Sequence, residues 1–431
     1  MRSEYDVIVA GTGPGGASAA RELARAGKKV LMIEKGADNQ WLGNHIAAMF
    51  FVDVTKAHPI GHPIMARAIT TGGSSLMYCG TCTPPAPWIK EKTGIDLGPI
   101  ADATMEELNV GPLPDHLIGD GAKAIMKAAN ELGMKWEPLP KFINPEKCKP
   151  DCGACMLGCP TGAKWTSREY IKDAMEHGAD LMTKTTVDRV LTEDGKAAGV
   201  KTKGSNGTRA FFSDVVIVSA GGLGSPVILK RSGIDEAGKG FFGDPLVFTY
   251  GQYDGKGSGY DIPMTAGTWE FHDAHGYMMT DLIEPWMLLG TMMGMKGPQH
   301  LPKTLNFNKT LGIMTKCKDP VSGSISANGT LKKKLEPEVW KRLNAGDKHA
   351  REILLKAGCK FKTLITSPVK AAHPGGSARI GEVVDNNLEA YKIKNLYVAD
   401  ASVVPDELGT PVVLLASSFG KYAARNILAK N

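Results

Sequence analysis

The chain has 431 residues, is 42% hydrophobic and 22% charged, and carries a formal net charge of +6. That length buries one large core or two coupled ones, and the composition is that of a globular protein. The charge is small for the length and forms no dense basic run, which argues against nucleic acid as a partner. No apolar stretch reaches the roughly eighteen residues of a transmembrane helix. Periodic structure begins within five residues of Met1, which leaves no room for a signal peptide and predicts a cytoplasmic location with reduced thiols.

Residues 5–10 read as a short buried strand, and Gly11-Thr12-Gly13-Pro14-Gly15-Gly16 follows as a tight turn. An alanine-rich helix over 17–26 and a strand over 29–33 then deliver Glu34. This is a G-x-G-x-x-G turn in its required setting, with a strand before, a helix after and an acid about 20 positions on. Gly11 permits the turn, Gly13 lets backbone approach a pyrophosphate, Gly16 lets helix and strand pack closely, and Glu34 accepts from a ribose. The motif alone does not separate FAD from NAD.

Residues 41–179 form a long excursion holding a Gly72-Gly73 turn and most of the cysteines. Segments 185–191 and 214–220 read as strands, with a hairpin over 200–212 turning at Gly204-Ser205-Asn206-Gly207. Residues 241–370 predict an antiparallel sheet with a helix over 337–358, and Lys332-Lys333-Lys334 reads as a solvated patch ahead of it. His373-Pro374-Gly375-Gly376 then places an imidazole on a glycine-rich loop. A short strand ending at Asp400 and a helix-like run over 411–428 complete the chain. This order suits binding a large anionic cofactor while one ring nitrogen takes a substrate proton.

Both ends of the chain, together with Thr71-Gly72-Gly73-Ser74-Ser75-Leu76-Met77 and the block from Val215 through Ala220-Gly221-Gly222 to Pro226, resemble the glucose-methanol-choline (GMC) oxidoreductase family. The resemblance implies an α/β fold: a Rossmann-like FAD-binding domain (1–40, 180–240 and 371–431), an inserted Cys-rich cap segment (41–179) and an antiparallel-sheet substrate domain (241–370). It implies FAD contacts at Gly11, Gly13, Gly16, Glu34, Gly72, Gly73, Ser74, Ser75, Val187, Ala220, Gly221, Asp400, Ala401, Thr410 and Pro411. It also implies hydride transfer from an alcohol carbon to the flavin, with His373 as base. Members of the family pair that histidine with a second His or Asn; here the position falls on Thr410 or Pro411. Thr410 can orient a substrate oxygen but cannot act as a second base. The favoured reading is an FAD-dependent dehydrogenase of a hydroxyl-bearing, apolar substrate, and three alternatives stay open: a flavin-dependent C=C reductase, an oxygen-using alcohol oxidase, and a non-catalytic flavoprotein electron-transfer subunit.

Four of the eight cysteines share one loop, Cys148-x3-Cys152-x2-Cys155-x3-Cys159, with Pro160 directly after. The last three resemble part of a bacterial ferredoxin run, and Gly153 and Gly158 free backbone amides to point at sulfur. A [4Fe–4S] cluster is the favoured reading, which predicts electrons leaving singly to a ferredoxin-like or multisubunit acceptor instead of oxygen. Structural zinc and unliganded or disulfide-paired thiols remain open, the last because alcohol oxidases of the family carry a segment like Gly158-Cys159-Pro160-Thr161-Gly162-Ala163-Lys164. Cys79 and Cys82 read as packing residues, and His45, His58 and His62 match no metal motif. Met278, Met279, Met287, Met292, Met293 and Met295 read as deformable core; if they line a pocket, the substrate is an apolar alcohol.

Overall fold

Val7 to Ala10 are buried on both faces because strand Tyr5–Ala10 lies inside a parallel sheet. It pairs with Val30–Ile33 on one side and Gly207–Val218 on the other; Asp180–Met182 and Leu396–Val398 extend the parallel set. The computed structural model describes residues 4–58, 63–205 and 207–430; His62 and Asn206 lie outside them. Helices Pro14–Arg25 and Val413–Lys430 pack against each other beside this sheet. Gly420 permits the approach, since a Cβ there would fall 2.1 Å from the Gly15 carbonyl oxygen.

The expected hairpin forms, but its second arm runs on without a break, so Gly207–Val218 is one twelve-residue strand. Its first half pairs antiparallel with Lys196–Gly204, and its second half joins the parallel sheet. The final helix starts at Val413, two residues later than its apolar pattern suggests.

The second sheet is mostly antiparallel and contains Pro245–Gln252, Thr310–Cys317 and Tyr277–Asp281 in its centre. The 41–179 excursion is not a separate unit, because Val52–Lys56, Ile64–Ala68 and Glu137–Pro138 are strands of this sheet. Period-2 alternation sorts its side chains into two cores. Val247, Met279 and Ile313 face helix Pro337–Lys356, where they meet Val339, Leu343 and Ile353. Phe248, Met278 and Met314 face the other way and join Leu289 and Met293. Lys316 shares the parity of Met314 and pairs across strands with Leu246 and Met278, so its ammonium enters that second, largely apolar layer.

Lys333 corrects the expectation of a solvated lysine patch. It is 2% exposed, sits 3.0 Å from the Asp319 carboxylate and donates to the carbonyls of Phe241 and Pro320. Leu331–Lys332 forms a short strand, after which Lys333 turns inward to a carboxylate that lies close only in three dimensions. Of the six methionines, Met278, Met279, Met292 and Met293 are buried, whereas Met287 and Met295 are exposed.

Candidate active site

All four glycine-bearing blocks meet at one end of the parallel sheet. A Cβ on Gly11 would lie 2.3 Å from the Ser219 carbonyl oxygen, and one on Gly15 would lie 1.8 Å from that of Ala399. Ser219 Oγ donates to the same Ala399 oxygen at 2.8 Å. Gly73 faces the Cα of Gly13, and the Gly72 amide donates to Thr12 Oγ1 at 3.3 Å. Gly13 itself has open space where a side chain would be, at the start of helix Pro14–Arg25, which has no side-chain cap. Uncapped amides beside a vacant Cβ position suit a pyrophosphate, so these residues fit an FAD.

The other expected cofactor residues lie around this cradle. Glu34 is buried; its carboxylate accepts from the Thr12 amide and hydroxyl (3.1 and 2.8 Å) and from the Gly36 amide (2.8 Å). Lone pairs remain for a ribose. Val187 lies on strand Thr185–Glu193, whose first amide donates to the Glu34 carbonyl. Ser75 donates to the Gly72 carbonyl and accepts from Ser167, while Ser74 Oγ accepts from the Ala68 amide. Asp400 ties loops together: its carboxylate accepts from the Gly221 amide, Ser225 Oγ and the Ser402 amide, at 2.8, 2.5 and 2.7 Å. Ala220 and Gly221 open helix Gly221–Arg231, and Ala401 opens the turn Ala401–Val403.

The His373 loop is joined to the same framework. Ser377 Oγ donates to the Gly222 carbonyl at 2.7 Å, and the Ala378 amide donates to that of Ser402 at 2.8 Å. His373 itself adopts φ +56°, a left-handed conformation costly for a residue with a Cβ. Its Nδ1 lies 3.0 Å from Lys316 Nζ and 3.5 Å from Asp244 Oδ2. Asp244 adopts φ +41°, is fully buried, and its Oδ2 has no hydrogen-bond partner among the described residues. Two strained non-glycine residues in contact, with an orphaned carboxylate oxygen, mark a site built for something other than stability.

Burial sets the titration of all three groups. It raises Asp244 to about 7, against the pull of Lys316 and the Gly409 amide. It lowers Lys316 to about 8, opposed by Asp244. It drives His373 well below the usual imidazole value, helped by the neighbouring Lys316 charge.

Thr410 is buried and its backbone adjoins the imidazole. The preceding loop is fixed from two sides: His272 Nε2 bonds the Leu408 carbonyl at 2.9 Å, and the Gly409 amide donates to Asp244 Oδ1 at 2.9 Å. Pro411 is buried and directly follows Thr410. Asp244 and Lys316 are thus functional candidates that the sequence does not single out, and His272, which reads equally as a substrate-domain or a polar-loop residue, serves to fix the Leu408 loop. The one available signal was a lysine at an inward position of an otherwise uncharged strand, Thr310–Cys317.

The cysteine loop departs from expectation. All eight cysteines are free thiols, and among the described residues no three His, Cys, Asp or Glu side chains converge as a metal-ion site. Cys148, Cys152, Cys155 and Cys159 are therefore not assembled as an iron–sulfur or zinc ligand set. Cys155 is buried in an apolar cluster with Leu117 and Ile143, against which Cys148 and Cys159 pack. Burial raises Cys148 to about 12 and also raises Cys155. Cys159 alone is lowered, because hydrogen bonds from the Lys164 amide and Thr161 outweigh its burial. Lys164 fastens the loop: its buried ammonium donates to the carbonyls of Leu76, Tyr78 and Cys155 at 2.7–2.8 Å. Cys79 and Cys82 are buried packing residues.

Comparison with known proteins gives the arrangement a context. An uncharacterized GMC-type oxidoreductase of Mycobacterium tuberculosis is 28% identical over 302 residues, covering 64% of this chain and 47% of the relative. The chain thus spans about half the length of that relative. A long-chain-alcohol oxidase of Arabidopsis thaliana is 25% identical, covering 99% of this chain and 69% of its own length. An uncharacterized protein of Methanocaldococcus jannaschii is 28% identical over 98% of this chain and 100% of its own. Among solved structures, a pyridoxine 4-oxidase from Mesorbium loti superposes with a TM-score of 0.74 at 16% identity, covering 99% of both chains, which speaks for the fold. The family model described as GMC oxidoreductase matches in two parts, residues 15–247 and 328–420. Those spans take in Gly15, Gly16, the Gly72-Gly73 turn, the Gly221 turn, the His373 loop and the Thr410 turn, and since they cover well over half of its length the chain belongs to the GMC oxidoreductase family.

Proposed function

We propose that the protein is an FAD-dependent oxidase of an apolar alcohol, with His373 as the proton-accepting group. The observation that carries this reading is the strained His373 imidazole backed by Lys316 and Asp244. Bound FAD would supply the hydride acceptor; Gly13, Gly72, Gly73, Gly221, Ala401 and Pro411 would meet it through their backbone, and Glu34 would accept from its ribose, a role supported by the open space at Gly13 and the lone pairs left on Glu34.

The chain's own residues handle the proton. An ammonium only donates, so while Lys316 is charged Nδ1 must accept, and the ring hydrogen sits on Nε2. In that form His373 is a donor. Once Lys316 is neutral, Nδ1 can carry the hydrogen toward its amine, and Nε2 has a lone pair for the substrate hydroxyl. A buried imidazole of low basicity holds a proton poorly, and Lys316 at about 8 is the stronger acceptor behind it. Thr410 orients the substrate oxygen. The Met278 and Met314 layer around Lys316 favours an apolar substrate, in keeping with the long-chain-alcohol oxidase among the relatives.

Anaerobic flavin bleaching by a panel of primary alcohols, against reoxidation of reduced flavin by enones, tests this reading; turnover of enones alone makes the protein a C=C reductase. A relay through a [4Fe–4S] cluster on Cys148, Cys152, Cys155 and Cys159 to a ferredoxin-like acceptor is the second reading, favoured by the Lys164 amide directed at Cys159 Sγ. It requires the loop to regroup. About four irons per chain in anaerobically purified protein would favour it; iron-free protein that reduces oxygen rapidly would remove it.

A further inference from the structure

Helix Trp286–Lys296 is apolar on both faces, yet only one face is covered. Leu289, Met292 and Met293 are buried, whereas Trp286, Met287 and Met295 are nearly half exposed. The Trp286 indole donates to the Thr304 carbonyl at 3.2 Å, which joins the helix to segment Pro298–Lys309, where Leu305 is 79% exposed. Lys303 Nζ reaches the Thr363 carbonyl at 3.4 Å, and that turn carries Phe361, 75% exposed. Large apolar side chains thus form one surface across three adjoining segments. A monomeric soluble domain rarely leaves such a patch bare.

The charge around it is mainly positive: Asp254 is taken up by Lys360, at 2.6 Å. Residues 285–318 contain no aspartate or glutamate but five lysines, and residues 355–381 repeat the pattern. Lys296, Lys303 and Lys362 make no ion pair among the described residues. A half-buried tryptophan, exposed leucine and phenylalanine and unpaired lysines together match an anionic lipid surface, where apolar groups enter the headgroup boundary and lysines meet lipid phosphates. A cleft lined by Tyr250, Leu289, Met293 and Thr363 lies directly behind the helix.

We infer that the surface formed by Trp286–Lys296, Leu305 and Phe361 docks the protein peripherally on anionic membranes. This inference stands on the surface alone and does not depend on the alcohol-oxidase reading. The FAD-loaded full chain is sedimented with vesicles of phosphatidylcholine and with vesicles containing one-third phosphatidylglycerol, at low and high salt. The expected result is strong binding to the anionic vesicles, weak binding to the neutral ones and release by salt. Replacing Lys296 and Lys303 with Glu should weaken binding about fivefold per lysine or more; Trp286→Glu with Leu305→Glu should abolish it. All four side chains are wholly or partly on the surface, and an unchanged flavin spectrum and melting temperature verify folding. Absence of binding to either vesicle, or binding that survives both pairs of changes, overturns the inference. So does a stable dimer that the Trp286→Glu/Leu305→Glu protein fails to form, because a second copy would then be the occupant.

Discussion

Replacing Lys316 with methionine separates stability from chemistry at one atom. The lysine is 1% exposed, and His373 Nδ1 is the one hydrogen-bond partner found for its ammonium among the described residues. Burial takes its pKa from 10.5 to about 8, a shift worth about 3 kcal/mol of folding free energy while the group is charged. A lysine with a depressed folded-state pKa costs stability at every pH below that value. The cost fades between about 8 and 10.5 and is absent above. Lys316→Met should therefore stabilise the flavin-loaded protein at pH 7 by about 1–3 kcal/mol, allowing about 1 kcal/mol for the lost hydrogen bond. The gain should shrink toward zero near pH 10. Methionine fits the surroundings, since Met278 and Leu246 are its cross-strand neighbours. Flavin bleaching should respond in the opposite sense. The parent rate rises with pH as Lys316 deprotonates near 8; in the variant that limb disappears and the plateau falls about tenfold or more. Urea unfolding at several pH values and anaerobic stopped-flow bleaching provide both readings. A variant destabilised by several kcal/mol, or one that keeps the parent's pH profile, would refute the assignment and leave Lys316 a purely structural residue.

His373→Gln should retain bound FAD and lose about 10²–10⁴-fold in the rate of alcohol-dependent bleaching, read by stopped-flow absorbance. Gly13→Ala and Gly15→Ala should diverge. The first has room for its Cβ and should leave the melting temperature of flavin-free protein unchanged while weakening FAD loading; the second collides with the Ala399 carbonyl and should cost about 1–3 kcal/mol even without flavin. Lys164→Met should destabilise by about 2–5 kcal/mol, because three buried carbonyls lose their donor. The contrast with Lys316, at a similar pKa of about 8, would show that partner count decides the sign.

What the sequence determined by itself is local. Gly11, Gly15 and Gly16 stand where any Cβ would strike a carbonyl oxygen, so the backbone's close approaches are written into residue type at short spacing. The alternation of Val247 with Phe248 and of Ile313 with Met314 is likewise legible as strand, although which face meets which core is not. Lys333 and Lys164 share one reason for being illegible: an isolated lysine reveals neither its burial nor its partners. Asp319 is 14 positions from Lys333, and the carbonyls that hold Lys164 come mainly from residues 76 and 78. The proton-handling group behind His373 was decided only in three dimensions. Asp244 and Lys316 lie 129 and 57 positions before it, and they reach its Nδ1 through strand register. A one-residue slip in that register would turn Lys316 to the opposite face of the sheet. Register depends on the whole set of pairings and buried faces, which no window of the sequence contains.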